Sequence, residues 1–450
     1  MFAPGHVGEL TRIVPFEMVD AALCETGTTQ RRLRILPSRV VVYLLLAAAL
    51  FAEVGYRQVW ARLSAGLSGP GGIVVARPSA SALAAARRRV GVAPLRALFA
   101  LLRGPAAGVR GRAGVWWRGR LVTAVDGTIM CCPDTAANLA VYQRSKGNHG
   151  GSGYPLIRLL AVVACGTRTV IEVVFGTDRV GETSYAHRLL GGLRAGTILL
   201  ADRNFAVRAW IIAVADTGAD LLVRVKTNRV LPVCARCGDG SYVSRIGPVE
   251  VRVITAQITV TTSAGRRTEI YRLITTVLDP DCPAAEIVRL YHERWEIETS
   301  FFEIKSSTLG GRVLRARTPA GVEQEIWAVL IGYQALRIAI SDALLARPGL
   351  DPDRGSFTVA LNTARDQIVL AAGVLTDSSQ DAGVDLVGVI GQAVLDELMP
   401  ERRFRTGPRV VKRAISKFVA STAKGRQRGP SLKATISIAI SIAIPTAAGP

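Results

Sequence analysis

Apolar positions along the chain change their period several times, and each change marks a different kind of element. Ala- and Leu-rich stretches at 40–63 and 81–103 carry Arg on one side, which predicts helices, with SAGLSGPGG (64–72) as the loop between them. From about residue 113 the texture turns to strands. VWWRGRLVTAVDGT is a β-type run that ends in an acid and a turn. IRLLAVVACGTRTVIEVVFG (157–176) predicts two strands joined at Cys165–Gly166–Thr167, and ETSYAHRLLGGL (182–193) a short helix. TILLADRNF (197–205) is an apolar strand ending in Asp202, AVRAWIIAVADTG (206–218) a helix, and DLLVRVKTN (220–228) another strand. Strands alternating with helices predict an α/β core around a mixed sheet.

The rhythm then breaks. Residues 229–278 hold β-branched runs, PVEVRVITAQITVTT and TEIYRLITTVL, with no helix between them, and predict a β-rich insertion. After Pro283 one long helix is expected to run to Gly310–Gly311, with further helices at 322–346 and 380–399. The organisation expected is therefore a helical N-terminal domain (1–104), an α/β core in two parts (113–228 and 279–346) around the insertion (229–278), a C-terminal helical and basic region (347–433), and a low-complexity tail (434–450).

Charge narrows the partners. The chain has 56 Lys+Arg against 35 Asp+Glu, a net charge of +21. Neutralised phosphates release condensed counterions, so a polyanion is favoured: nucleic acid first, an anionic membrane surface second, a solvated basic face third. Residues 401–433 are densely basic with one acid, Glu401, and read as a solvated tail or a nucleic-acid arm. The N-terminal helices read equally as a DNA-binding module or as a packing and dimerisation unit. The apolar run VVVYLLLAAALF (40–51) is shorter than the about 20 residues that span a bilayer, and Arg residues flank it, so it predicts a buried helix. The start FAPGHVGEL lacks the basic-then-apolar order of a signal peptide. A cytoplasmic, DNA-accessible protein with no membrane partner is expected. The seven cysteines form no disulfide framework, and Cys234–Cys237 is a lone CxxC without the four ligands of a zinc site. The stretch ATISIAISIAI is strand-prone and is assigned no function.

Candidate chemistry rests on acids. Asp126 follows the apolar run LVTAV, and Asp202 follows ILLA. A carboxylate closing a buried strand is held rigidly, as a magnesium ligand must be, although either Asp alone reads as a turn starter. A third acid comes from the 283–311 helix, which offers Glu293, Glu296, Glu298 and Glu303. At about 100° per residue, Tyr291, Arg294, Glu298 and Lys305 share an arc of roughly 60°, and the other three acids project about 100° or more away. The plainer reading of that stripe is an Arg294–Glu298 ion pair of i,i+4 spacing. On this phase, Glu296→Gln and Glu303→Gln are expected to be nearly silent.

Tyr291, Arg294, Glu298 and Lys305 spell Y-x2-R-x3-E-x6-K. That pattern resembles the signature of the IS4 family of bacterial insertion-sequence transposases, of DDE type. VDGT at 125–128 and ADRNF at 201–205 are similar to the family's first- and second-acid motifs, and the likeness covers most of the chain. The resemblance implies an RNase H-like mixed-sheet catalytic core interrupted by the β-rich insertion. It implies that Asp126, Asp202 and Glu298 bind two Mg²⁺ ions, for which Mn²⁺ substitutes, and that Arg294, Lys305 and Tyr291 contact the transposon-end strand. The implied activity is cleavage of transposon ends and joining to target DNA, by a homodimer bound to terminal inverted repeats. The competing class is an inactive or domesticated DNA-binding derivative. There is one departure: relatives that cut through a hairpin stack a flipped base on a Trp in the insertion, and here no Trp lies between Trp210 and Trp295. Tyr242 and Tyr271 are the aromatic alternatives.

Overall fold

The computed structural model describes residues 5–30, 32, 35–67, 75–106, 115–144, 153–262, 265–347, 349–371, 387–400 and 434–440. Helices α1 (Phe16–Glu25), α2 (Ser38–Leu50), α3 (Tyr56–Ala65), α4 (Ala80–Val90) and α5 (Ala93–Leu102) come first. Strands β1 (Trp116–Trp117) and β2 (Arg120–Cys131), helix α6 (Ala136–Leu139), and strands β3 (Leu156–Ala164) and β4 (Val170–Thr177) follow. Then come α7 (Glu182–Ala186), β5 (Thr197–Ala201), α8 (Arg208–Asp216) and β6 (Asp220–Val225). Strands β7 (Ala235–Arg236), β8 (Tyr242–Ile246), β9 (Val249–Thr262) and β10 (Gly265–Thr275) lead into helices α9 (Ala284–Leu290), α10 (Trp295–Phe302), α11 (Pro319–Leu345), α12 (Phe357–Val369) and α13 (Gly388–Asp396). Strand β11 (Ala434–Ile440) is the last described element.

The strands form one sheet in the order β4-β3-β2-β5-β6-β10-β9-β8-β7, with β1 beside β2 and β11 beside β9. β2, β5 and β6 run parallel, and β3 and β4 extend β2 as antiparallel neighbours. A three-strand meander followed by two strands parallel to its first is the RNase H-like arrangement, so the α/β mixed-sheet expectation holds. The expected insertion does not stand apart. β10 pairs with β6, Leu273 opposite Arg224, and carries the core sheet onward. An open sheet edge attracts a strand, and the β-branched β10 supplies one. The tail differs too: Ala434–Ile440 is paired along β9, Ile438 opposite Ile258. The basic segment 401–433 and residues 441–450 lie outside the described residues.

Strand alternation decides which side of the sheet each residue serves. Val122 and Ala124 of β2, Ile198 and Leu200 of β5 and Leu222 of β6 join the core shared with α2, α5, α9 and α11. Leu121, Val125, Leu199, Ala201, Leu221 and Val223 join the opposite core, which α7 and α8 cover. By the same alternation Asp126 and Asp202 belong to the first face, the one under α9–α11.

The N-terminal helices pack directly against helices from later in the chain. Every residue from Val40 to Leu50 of α2 is buried. Gln324 of α11 donates to the carbonyls of Arg87 and Gly91, and Gln334 to those of Leu102 and Gly104. Arg315 reaches the carbonyls of Ala48 and Val54. The N- and C-terminal helices therefore make one layer around α11, because an all-apolar α2 needs cover on every side. α11 is long and apolar enough to cross a membrane, and 78% of its most apolar window is buried inside the protein.

Candidate active site

Asp126 and Asp202 become neighbours through register. β2 and β5 pair in parallel up to Val125 opposite Ala201, and the next residue on each strand is the acid. Asp126 does not end its strand as expected: β2 continues to Cys131, held by β3, while β5 stops at Ala201. Each carboxylate is oriented by a local backbone amide. The Asp126 side chain accepts from Gly127 N at 2.7 Å, and that of Asp202 from Asn204 N at 2.7 Å.

The helix above them is not uniform. After α9 the chain tightens into a 3-10 turn (Tyr291–Arg294), relaxes into α10, and ends in a π-helical turn (Glu303–Thr308). Over-winding at one end and under-winding at the other offset each other, so the expected face survives a broken helix. Arg294 lies between two of the acids: Nη1 is 3.6 Å from Asp126 Oδ2, and Nη2 is 3.2 Å from Glu298 Oε1. Lys305 Nζ donates to Thr128 Oγ1 on β2 at 3.1 Å. Tyr291 does not reach outward. It is buried, and its hydroxyl donates to the carbonyl of Ala201, the residue before Asp202, at 3.2 Å. Burial raises the pKa of this phenol, which therefore stays protonated as a donor.

Burial also pushes the Asp126 carboxyl up to about 6. The amide of Gly127 and the Arg294 guanidinium oppose the shift, and the charges of Asp202 and Glu298 add to it. Among the described residues no three His, Cys, Asp or Glu side chains close into a metal cage. Three like charges repel, and here one guanidinium does the neutralising. The donor set fits a hard divalent cation, being carboxylate oxygens alone, two of them on adjacent strands.

The remaining acids of the helix serve the other side. Arg168, in the β3–β4 turn, pairs with Glu296, with Glu303 at 3.2 Å and with Asp353 at 3.1 Å. Glu303 also pairs with Arg337 and accepts from the Tyr333 hydroxyl at 3.1 Å. Arg168, Glu296, Glu303 and Arg337 are all buried. Glu296→Gln and Glu303→Gln are therefore not silent: each would leave buried charge uncompensated. Arg168 also holds φ +56°, a strained left-handed backbone that its side-chain contacts stabilise.

Arg224 was missed by sequence reasoning. It shares the alternate positions of β6 with Asp220 and Leu222, and it stacks 3.9 Å over the ring of Tyr271. Tyr271 in turn lies 6.3 Å from Tyr291, so of the two aromatic alternatives it is the one beside the acids. Tyr242 is buried, with its hydroxyl bonded to Arg272. Cys234 and Cys237 flank β7 three residues apart along extended chain, so their side chains point to opposite sides and share no ligand.

With this geometry in view, comparison with known proteins is specific. Residues 4–100 match the family described as insertion element 4 transposase N-terminal, and residues 117–334 match the transposase DDE domain. The transposase InsG for insertion sequence element IS4 of Escherichia coli (strain K12) is 25% identical over 433 residues, covering 91% of this chain and 93% of that protein. The putative transposase InsZ of the same organism is 26% identical over 212 residues, 46% of this chain and 67% of that protein. A cryo-EM structure of the piggyBac transposase synaptic complex with hairpin DNA aligns at TM-score 0.43 and 10% identity, over 87% of this chain and 85% of that one. The protein is a DDE transposase, a divalent-metal-dependent enzyme of DNA phosphoryl transfer whose partner is DNA. Within that class the chain belongs to the IS4 family of insertion-sequence transposases.

Proposed function

We propose that Asp126, Asp202 and Glu298 are the metal-binding acids of cut-and-paste transposition, holding two Mg²⁺ ions for which Mn²⁺ substitutes. The observation that carries this reading is the register: Val125 opposite Ala201 sets the two aspartates side by side, and Arg294 ties Glu298 to the first of them. When bound, a pair of divalent ions supplies Lewis-acid activation of the attacking oxygen and charge neutralisation at the leaving one. The chain's own groups do the rest. Arg294 holds Asp126 and Glu298 until phosphate arrives, and its guanidinium can then turn to a phosphate oxygen. Lys305 is placed over β2 to meet the same phosphate, and Tyr291 fixes the end of β5. In cleavage, water oxygen bonds to phosphorus, the bond to the 3′ oxygen breaks, and that oxygen takes a proton. In joining, the freed 3′-hydroxyl replaces water: its oxygen bonds to a target-strand phosphorus, the bond from that phosphorus to the target's 3′ oxygen breaks, and the displaced oxygen takes the proton.

The substrates proposed are terminal inverted repeats and target DNA, bound by a homodimer in the bacterial cytoplasm at the nucleoid. Salt-sensitive affinity comes from the N-terminal helices and residues 401–428. The test is cleavage of DNA carrying the repeats that flank the coding region. Activity should require Mg²⁺ or Mn²⁺ and disappear in chelator. Asp126→Asn and Asp202→Asn should abolish cutting while DNA binding persists. Full activity after exhaustive chelation, or binding lost in step with cleavage, would remove the assignment.

A further inference from the structure

Beside the acids lies a cavity of about 870 Å³ that shares only Lys305 with the chemistry above. It begins at Lys305 and follows the far end of β2, from Ile129 to Cys131, between the α2–α3 turn and residues 309–315. Its walls are fixed. Leu314 N donates to the carbonyl of Cys131 at 3.0 Å, and Gly311 N caps the carbonyl of Lys305 at 2.7 Å. Gly310 and Gly311 both have positive φ, 61° and 70°, and Gly311 has open space where a Cβ would stand. Two side chains face this space without a burial role: Arg312 is exposed, and the ring of Tyr154 is 47% exposed. The acid in the wall, Glu53, is already matched by Arg62 at 2.6 Å.

We propose that this groove binds an unpaired DNA strand running on from the scissile phosphate, with Arg312 on a backbone phosphate and a base stacked on Tyr154. The inference rests on the reading of Asp126, Asp202 and Glu298 as the reacting centre. Continuity carries it: Lys305 belongs both to that centre, through Thr128, and to the groove wall. The composition agrees. Two cations spaced along a track suit a phosphate backbone, bare glycine backbone admits close approach, and an exposed aromatic face accepts any base. The strand has two possible sources, the transposon end or the flanking donor DNA, and both present the same chemistry.

The experiment measures affinity for end duplexes that carry single-stranded extensions past the scissile phosphate, on the flank side or on the end side, against the blunt duplex. The full chain is used with Ca²⁺ in place of Mg²⁺. One stacked base is worth roughly 5- to 150-fold in affinity, so an extension on one side should raise binding by about that factor, and the side that does so identifies the source. In Tyr154→Ala and Arg312→Gln the ratio of extended to blunt affinity should fall toward one, whereas Tyr154→Phe should keep it. No gain from either extension, or a ratio unchanged in both variants, overturns the groove. Asp126→Asn separates the two proposals. It should keep the extension-dependent gain without cutting in Mg²⁺, and if it cuts, the acid assignment fails while the groove result stands.

Discussion

At the scale of single residues, the acids of one helix divide by what they face. Glu298 turns to Arg294 and Asp126, while Glu296 and Glu303 turn to Arg168. Glu298→Gln should therefore stop cleavage with little change in melting temperature. Glu296→Gln and Glu303→Gln should lower stability by about 3–5 kcal/mol, the usual result of breaking a buried pair. Thermal unfolding beside a cleavage assay reads both, and a stable but inactive Glu296→Gln would contradict the division. Asp126 makes a second prediction. Its folded pKa of about 6 lies above its ordinary 3.8, so between those values the folded state holds a proton that the unfolded state has lost. Stability of the metal-free protein should thus fall as pH rises through about 4 to 6, by roughly 2–3 kcal/mol. Asp126→Asn should be the more stable protein at pH 7 in chelator, with the difference gone near pH 4. A constant difference across that range would contradict the shift. The acids could be read in the chain because rigid carboxylates follow apolar runs. Arg168 could not, since a charge in a turn gives no sign that helices 128 and 135 residues further on will bury it.

At the scale of elements, alternation and periodicity named most strands and helices, because each pattern is local. What they could not name was pairing. β10 reads the same whether it closes a separate hairpin or continues the core, and only its partner, β6, decides. The same holds for the tail, whose strand-prone repeat finds β9. One expected helix became three windings, since hydrophobic phase averages over a 3-10 and a π turn. β11 supports a prediction at this scale. Ile438→Pro removes an amide from the β9–β11 ladder and should expose the outer half of β9. Hydrogen exchange should quicken at those amides of Ala256–Val260 that face β11, and leave the ones facing β10, and those of β2 and β5, unchanged. Equal protection with and without the proline would mean that the β11 pairing does not persist in solution.

At the scale of the whole molecule, helices from early in the chain pack on helices from late in it. α2 is buried on all sides, and much of its cover is α11, which starts roughly 270 residues after α2 ends. A ribosome adding about 5–20 residues per second takes on the order of 15–50 s to make that stretch. During that interval the apolar α2 has α1, α3 and α4 beside it but lacks the cover of α11, and that face is open to chaperones and proteases. Fragment 1–104 made alone should accumulate in the insoluble fraction or be degraded, and a soluble, cooperatively melting fragment would show that the helices cover one another. If the fragment behaves so, translation that stops before α11 would leave no durable N-terminal product. For a mobile element such an outcome would make transposition wait on synthesis through α11.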